Sequence, residues 1–526
     1  MSAARAARQE GECDARKTGA KVHGQVGSVR NRPLELPTAG DAGRTSCYFS
    51  SMRTSHAVAL LAGMGSIIGG AGAGCGSSAT PRTFDDTATD GGDLGGETGP
   101  GFGKAGDAGK GCTGLECQQK ICSGGGDTTV TGTVFAPNGT LPLYNAIVYV
   151  PNAVPDALTK GASCDHCGAV TGSPVVTTLT DSSGKFTLKN VPVGKDIPLV
   201  IQIGKWRRQV VVPEVKQCVE TALTDPQLTR LPKNQSEGDM PRIALTTGGC
   251  DHLGCMLPKV GIDESEFGLE ADGAAKTVHV YNGNNQGVDG PGAANSARGL
   301  WNDAAKLKAY DLVILSCECE EASDVGGNGF GNASKGAPAY AAMTDYLAGG
   351  GRIFTTDFMY TWYRYSPNAA LAGATQMRGG APIGGKPMSV DTSFPKGKAL
   401  GDWLATVTPG SNNKVDPDVV FSNIISTDPT KTQQWATSGD PQPGPRVFSV
   451  NIPVGVPVEQ QCGKGVHIDA HVNNPQLGGG DVIDPSYPKG CASTLKEGEK
   501  LLAFFFFDLA SCIQNEAEPP KPPTVK

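Results

Sequence analysis

The residues best suited to chemistry lie close together near the end of the chain, in the run Gly465 to Asn473. Read as a strand, this run alternates faces: His467, Asp469 and His471 point one way, and Val466, Ile468, Ala470 and Val472 the other. Two imidazoles and a carboxylate on one face are donors for a divalent ion such as zinc, manganese or iron. At strand rise the first and last stand about 13 Å apart, so a single ion takes an adjacent pair, not all three. Further polar groups fall where other strands are expected to end: Thr246 and Thr247, the run Cys317 to Glu320, and Asp357. Strand ends of an open α/β sheet converge on the usual ligand crevice. Thr246, Thr247, Glu318 and Glu320 are therefore candidate ligand contacts. The expected function is a non-catalytic binding or structural role; the alternative is a hydrolase with His471, Asp357 and Asp469 as its catalytic groups. No cofactor is expected, with a divalent metal on His467, Asp469 and His471 as the alternative.

These groups need a sheet to bring them together. After a polar linker ending near Asp239, apolar runs at 241–249, 277–281, 310–316 and 352–357 read as strands, and 251–262, 304–307 and 337–350 as helical stretches between them. Strands alternating with helices predict a parallel doubly wound sheet. A last helix, Glu499 to Leu509, places Leu501, Leu502, Phe505, Phe506 and Leu509 on one face that must pack on that sheet. The preceding part, from Thr128 to about Leu231, alternates with period two and predicts an all-β module, including a hairpin turning at Gly184.

Two resemblances sharpen this reading. Val-x-Gly-x-Val near Val130, Asn145 to Val150, Thr180-Asp-x-x-Gly-x-Phe186 and Val191 to Gly194 resemble the carboxypeptidase regulatory-like, transthyretin-type β-sandwich, a module of the carbohydrate-binding-like folds. It implies no catalysis. Tyr310 to Leu315, Tyr346 to Phe354, the Gly465–Asn473 run and the final helix resemble the class I glutamine amidotransferase-like superfamily, which implies a flavodoxin-like fold. The resemblance places a nucleophilic cysteine on the turn after the fourth strand, where this chain has Thr356, Asp357 and Phe358, and its His-x-Glu falls on His471 and Asn473. Glutamine hydrolysis is therefore not expected. The combined arrangement also resembles secreted bacterial proteins labelled tryptophan synthase alpha chain, although no eightfold βα pattern is present to support that label.

The expected fold class is thus multidomain, an all-β sandwich over 127–236 followed by an α/β doubly wound domain over 237–513 with an insertion at about 360–445, and a tail over 514–526. Residues 1–51 read as disordered or as an upstream extension. At 52–75 a short basic start, an apolar run of signal-peptide length and small residues ending at Cys75 resemble a lipoprotein signal, with Cys75 as the lipidated residue and ordinary signal-peptide cleavage near Ala73 as the alternative. Residues 76–126 form a Gly-rich tether and a cysteine cluster. The expected location is the outer membrane or cell envelope, reached through an N-terminal lipid.

A net charge of −7 and an isoelectric point near 5.6 give no electrostatic case for nucleic acid. The expected partners are an envelope glycan, peptide or protein; Trp206 and Arg207 are candidates to stack on a sugar or grip a carboxylate, but the preferred reading is a cation-π pair that pins the sandwich against the next domain. Sixteen cysteines spread along the chain favour an oxidising compartment. Cys164 and Cys167 are expected in a disulfide, with each other, with Cys218 or with the 112–122 cluster; Cys462 and Cys491 are expected to bridge, or one of them to Cys512. Thirteen cysteines follow residue 111, an odd number, so at least one does not pair within this part of the chain. Of Cys317 and Cys319, a nucleophilic Cys317 competes with a structural role for both.

Overall fold

The computed structural model describes residues 112–525 apart from 169, 284–294, 327–333, 381, 474–487 and 489–490. The signal-like segment, Cys75 and most of the tether lie outside the described residues. Seven strands come first: β1 (Thr129–Thr133), β2 (Ile147–Pro151), β3 (Pro174–Leu179), β4 (Lys185–Lys189), β5 (Gly194–Ile203), β6 (Trp206–Val215) and β7 (Glu220–Leu223). They form a three-stranded sheet, β4-β1-β7, and a four-stranded one, β3-β2-β5-β6. Alternation dictates the facing: in β4, Phe186 and Leu188 are buried while Lys185, Thr187 and Lys189 are exposed.

The second part carries β8 (Ile243–Thr246), β9 (Phe267–Gly268), β10 (Val278–Tyr281), β11 (Leu312–Leu315), β12 (Arg352–Thr356), β13 (Thr375–Met377), β14 (Met388–Val390), β15 (Lys414–Val415) and β16 (Val419–Val420). It continues with β17 (Ile424–Thr427), β18 (Thr432–Ser438), β19 (Gly444–Ile452), β20 (Gly463–Ile468) and β21 (Ala470–His471). Ten of these make one sheet in the order β15-β14-β18-β19-β20-β12-β11-β8-β10-β9. Neighbours from β20 to β9 run parallel, and β19 and β18 continue antiparallel on the other side. The central strands are buried on both faces, which explains their continuous apolar runs. The segment expected as an insertion is therefore not an appendage, because β14, β15 and β18 widen the main sheet. The stretch expected to be helical at 251–262 has only the turn Leu253–Cys255 and the short helix Met256–Lys259. Pro258 cannot donate a helical hydrogen bond, and Cys255 is tied to Cys491.

The two parts share one apolar core, and the helix Glu497–Ala510 is its centre. One face was expected to be buried, yet Phe504 and Phe507 are buried as well as Phe505 and Phe506. Phe504 lies beside Tyr144 and Trp403, while Phe506 and Phe507 flank Trp206 of the first part. Four successive phenylalanines are what a helix needs when it is covered all round. Close approach also dictates Gly204 between β5 and β6: its φ is 52°, and a Cβ there would sit 1.8 Å from the Ala510 carbonyl. Two disulfides, Cys164–Cys462 and Cys167–Cys512, lock the same junction.

Candidate functional site

Strands β8, β11, β12 and β20 point their carboxyl ends to one edge, and each delivers a polar group just beyond its last residue. After β12 the chain turns at Asp357, whose φ of 36° is uncommon for any residue but glycine, into the helical turn Asp357–Tyr360. Side-chain hydrogen bonds hold this carboxylate: Asn423 Nδ2 donates to Oδ1 at 2.8 Å, and His471 Nε2 lies 2.9 Å from Oδ2. After β11 comes Cys317, with Sγ 3.4 Å from Asp357 Oδ2 and 3.3 Å from His471 Nε2. Beyond β20 the short pairing of β21 with β16 carries His471 over the site. Asp469 accepts from Asn423 Nδ2 at 2.8 Å and from the Ile424 amide at 3.0 Å, so Asn423 ties Asp357 to Asp469. Asp251, shortly after β8, accepts from the Val472 amide at 3.3 Å. Asp251, Cys317, Asp357 and Asp469 are fully buried and His471 is 3% exposed.

Burial and proximity set the protonation. Burial works against a charged His471, but Asp251 and the hydrogen-bonded Asp357 outweigh it and hold its pKa well above the ordinary value. Burial, with Asp357 adding to it, pushes the Cys317 thiol up to about 12 against the pull of His471. Burial likewise raises Asp251 to about 7, and burial together with Asp357 raises Asp469 to about 7. At neutral pH the cluster therefore holds an imidazolium and a neutral thiol, which is a poor nucleophile.

The three candidate catalytic residues, His471, Asp357 and Asp469, are brought together through Asn423 and the imidazole. The three proposed metal donors of the strand are not: each has different partners. His467 Nδ1 lies 3.0 Å from the Thr355 hydroxyl, and its ring packs among Tyr360, Tyr363 and Phe448. Burial alone lowers its pKa to about 3, so it is a neutral core histidine. The supposed apolar and polar faces are also not distinguished by exposure, since both sides of β20 are buried.

The ligand-contact candidates are placed as follows among their neighbours. Thr246 is buried, its hydroxyl 3.5 Å from the Ile314 carbonyl, and Thr247 accepts from the Gly283 amide. Glu318 is buried in an ion pair at 2.5 Å with Lys335, whose ammonium lies over the Trp301 and Trp362 rings. Glu320 is half-buried. Trp206 is fully buried with Nε1 donating to the Pro232 carbonyl, and Arg207 pairs with Asp239 at 2.8 Å. Both pin the first part to the second, because an indole and its neighbouring guanidinium at a seam are best satisfied by the facing module.

Six disulfides join the described cysteines, and the pairings differ from those expected. Cys164 and Cys167 reach across to Cys462 and Cys512 rather than to each other or to Cys218. Cys218 takes Cys122, and Cys491 takes Cys255. Cys319 pairs with Cys250, while its neighbour Cys317 is a free thiol. The odd cysteine count carried that signal without saying which residue it was. Asp251 had the signal of a polar residue after a strand, but Asn423 had none, because it comes from the middle of the supposed insertion.

No known protein family and no curated protein matches this chain. Among solved structures, two interface mutants of a type II cohesin–X-dockerin complex from Acetivibrio cellulolyticus align at 14% and 16% identity. The alignments cover 26% and 28% of this chain and 85% and 79% of those chains, with TM-scores of 0.15 and 0.14. A cytoplasmic protein of Salmonella typhimurium aligns at 11% identity over 52% of this chain and 100% of its own, with a TM-score of 0.27. Likenesses this slight carry no argument about fold or activity.

Proposed function

We propose that this chain is an exported protein of the bacterial cell envelope, anchored through a lipid on Cys75, whose two parts form a single disulfide-braced body with a binding or structural role rather than a catalytic one. In this reading the first part is a carboxypeptidase regulatory-like sandwich and the second a degenerate amidotransferase-like domain. The strand order supports the latter: leaving aside the two-residue edge strand β9, the parallel strands β8, β10, β11, β12 and β20, numbered in order of appearance, lie in the sheet as 2-1-3-4-5, the flavodoxin-like order. Six disulfides suit an oxidising compartment.

The observation that carries the non-catalytic reading is the turn after β12. Where an amidotransferase-like enzyme places its nucleophile, Asp357 stands with both carboxylate oxygens engaged by Asn423 and His471 inside a buried cluster. Burial opposes charge on the histidine that would serve as base, but the carboxylates around it favour its imidazolium form, which cannot accept a proton. The intended partner is an envelope glycan, peptide or protein. The test compares wild-type and Asp357→Asn ectodomains in pull-downs with isolated cell-envelope fragments and in assays of ammonia release from glutamine and of ester hydrolysis. Equal retention on the fragments and no turnover by either protein are expected. Turnover by the wild type that is lost in Asp357→Asn would overturn the reading.

One observation favours a hydrolase as the second reading. Left-handed backbone at Asp357, directly after a central parallel strand and facing His471, is the geometry in which strained turns present nucleophiles.

A further inference from the structure

Cys317, His471 and Asp357 come from three different strand ends, yet their donor atoms form a compact triangle. Its sides are 3.3 Å from Cys317 Sγ to His471 Nε2, 2.9 Å from that nitrogen to Asp357 Oδ2, and 3.4 Å from that oxygen back to the sulfur. A tetrahedral zinc ion with bonds of about 2.3 Å to sulfur and about 2.0–2.1 Å to nitrogen and oxygen separates its donors by about 3.3–3.6 Å. The triangle is therefore one face of such a tetrahedron, contracted by a few tenths of an ångström at most sides.

We propose that Cys317, His471 and Asp357 bind a zinc-type divalent cation, with Asp251 in the fourth position. Three observations besides the triangle support it. Cys317 keeps its thiol while the other twelve described cysteines are paired. Asp251 is fully buried, and its Oδ2 has no hydrogen-bond partner among the described residues. The supporting shell is in place: Asn423 orients Asp357 through its other oxygen, and the Phe421 ring packs 4.8 Å from the imidazole. Cys250 Sγ also lies within 4.8 Å of the Cys317 and His471 donors, but its bond to Cys319 commits it elsewhere.

The donor set chooses the metal class. A thiolate and an imidazole with carboxylates suit zinc and its soft or borderline neighbours, whereas calcium and magnesium take oxygen ligands. Binding forms metal–sulfur, metal–nitrogen and metal–oxygen bonds and releases the Cys317 thiol proton and the His471 Nε2 proton to solvent, with no change of oxidation state. A dication also offsets the surplus of buried acidic groups around one imidazole. The ligand set differs from the His467–Asp469–His471 face suggested by the strand, and it goes beyond the proposed function, since a closed site of this kind serves folding whether or not the chain has an activity.

The test uses the full chain, exported and purified without chelators. Elemental analysis after exposure to Zn2+ alone is expected to find one equivalent, and Cys317→Ser and Asp357→Asn are expected to lose at least about tenfold in affinity. Co2+ loading of the wild type is expected to give a sulfur-to-cobalt charge-transfer band. Cys317→Asp, which keeps an anionic donor, retains the metal without that band. Far-UV circular dichroism checks that each variant folds, and if the serine variant does not, the wild-type Co2+ spectrum decides. A folded wild type that retains no Zn2+, a Co2+ form without the band, or undiminished metal in Cys317→Ser overturns the proposal.

Discussion

Replacing Asp508 by asparagine is expected to destabilise the protein by about 3–5 kcal/mol, the cost of leaving a buried charge uncompensated. Asp508 sits on the final helix between two lysines. Lys396, from the helix Pro395–Val407, and Lys464, on β20, each approach it to 2.5 Å. Glu516, from the C-terminal segment, closes the ring by pairing with the same two lysines. All four side chains are at most 9% exposed, so two cations balance two anions away from water. Asp508→Asn leaves two ammonium groups facing one carboxylate.

The pH dependence follows from the shifts. Burial alone would raise Asp508, but Lys396 and Lys464 outweigh it and hold the carboxyl far below its usual range. Its contribution is therefore complete above its unfolded pKa of about 4 and disappears as pH falls through the folded value. Burial alone would lower Lys396, but Asp508 and Glu516 hold it above its usual value. That contribution is complete below about pH 10 and disappears as pH rises through the folded value. The difference between wild type and Asp508→Asn should thus stay flat from about pH 5 to 9 and shrink in strong acid. Urea unfolding followed by tryptophan fluorescence at several pH values measures it. The double variant Lys396→Met/Asp508→Leu, which leaves Lys464 paired with Glu516, should recover most of the loss. A loss under about 1 kcal/mol in the single variant, or a double variant no better than the single one, would show that the ring does not function as a compensated charge set.

Other outcomes are equally specific. Gly204→Ala combines a φ of 52° with a Cβ 1.8 Å from the Ala510 carbonyl, and should lower the melting temperature, whereas Gly455→Ala, with a φ of 80° but open space around it, should cost only backbone strain of about 1–3 kcal/mol. A non-reducing peptide map should return Cys164–Cys462 and Cys167–Cys512, and a Cys164–Cys167 peptide would refute the seam between the two parts. Replacing Cys122 and Cys218 by serine removes a link across 96 residues and should cost about 2–5 kcal/mol in thermal or urea unfolding. His467, neutral in the fold with its pKa lowered to about 3, weakens the protein as pH falls from its unfolded value of about 6.5, because the unfolded chain takes up the proton first. His467→Gln should therefore flatten the acid side of the stability profile between about pH 6 and 3, and an unchanged slope would exclude burial of a neutral imidazole.

Much of the architecture was legible from local pattern. Alternation in Lys185–Lys189 and the continuous apolar runs at Leu312–Leu315 and Arg352–Thr356 announce half-buried and fully buried strands, because side-chain facing repeats every two residues whatever lies elsewhere. The final helix was readable as a helix but not as one covered on every side, since Tyr144, Trp206 and Trp403 are distant in sequence. Likewise, Thr246 and Glu318 end strands as expected, yet whether a strand-end group meets a ligand or a neighbour depends on what packs over it.

By itself, then, the sequence determined the central apolar strands, the final helix, the acidic charge balance and an odd cysteine somewhere after residue 111, since these depend on composition and on neighbours along the chain. Only the tertiary structure decided that Cys317 is the unpaired thiol, that Asn423 joins Asp357 to Asp469, and that His471 separates from His467 to face Asp357. The hydrogen bonds among them connect residues from 46 to 114 positions apart, and nothing in local propensity or spacing encodes which distant strand ends meet once the sheet is assembled.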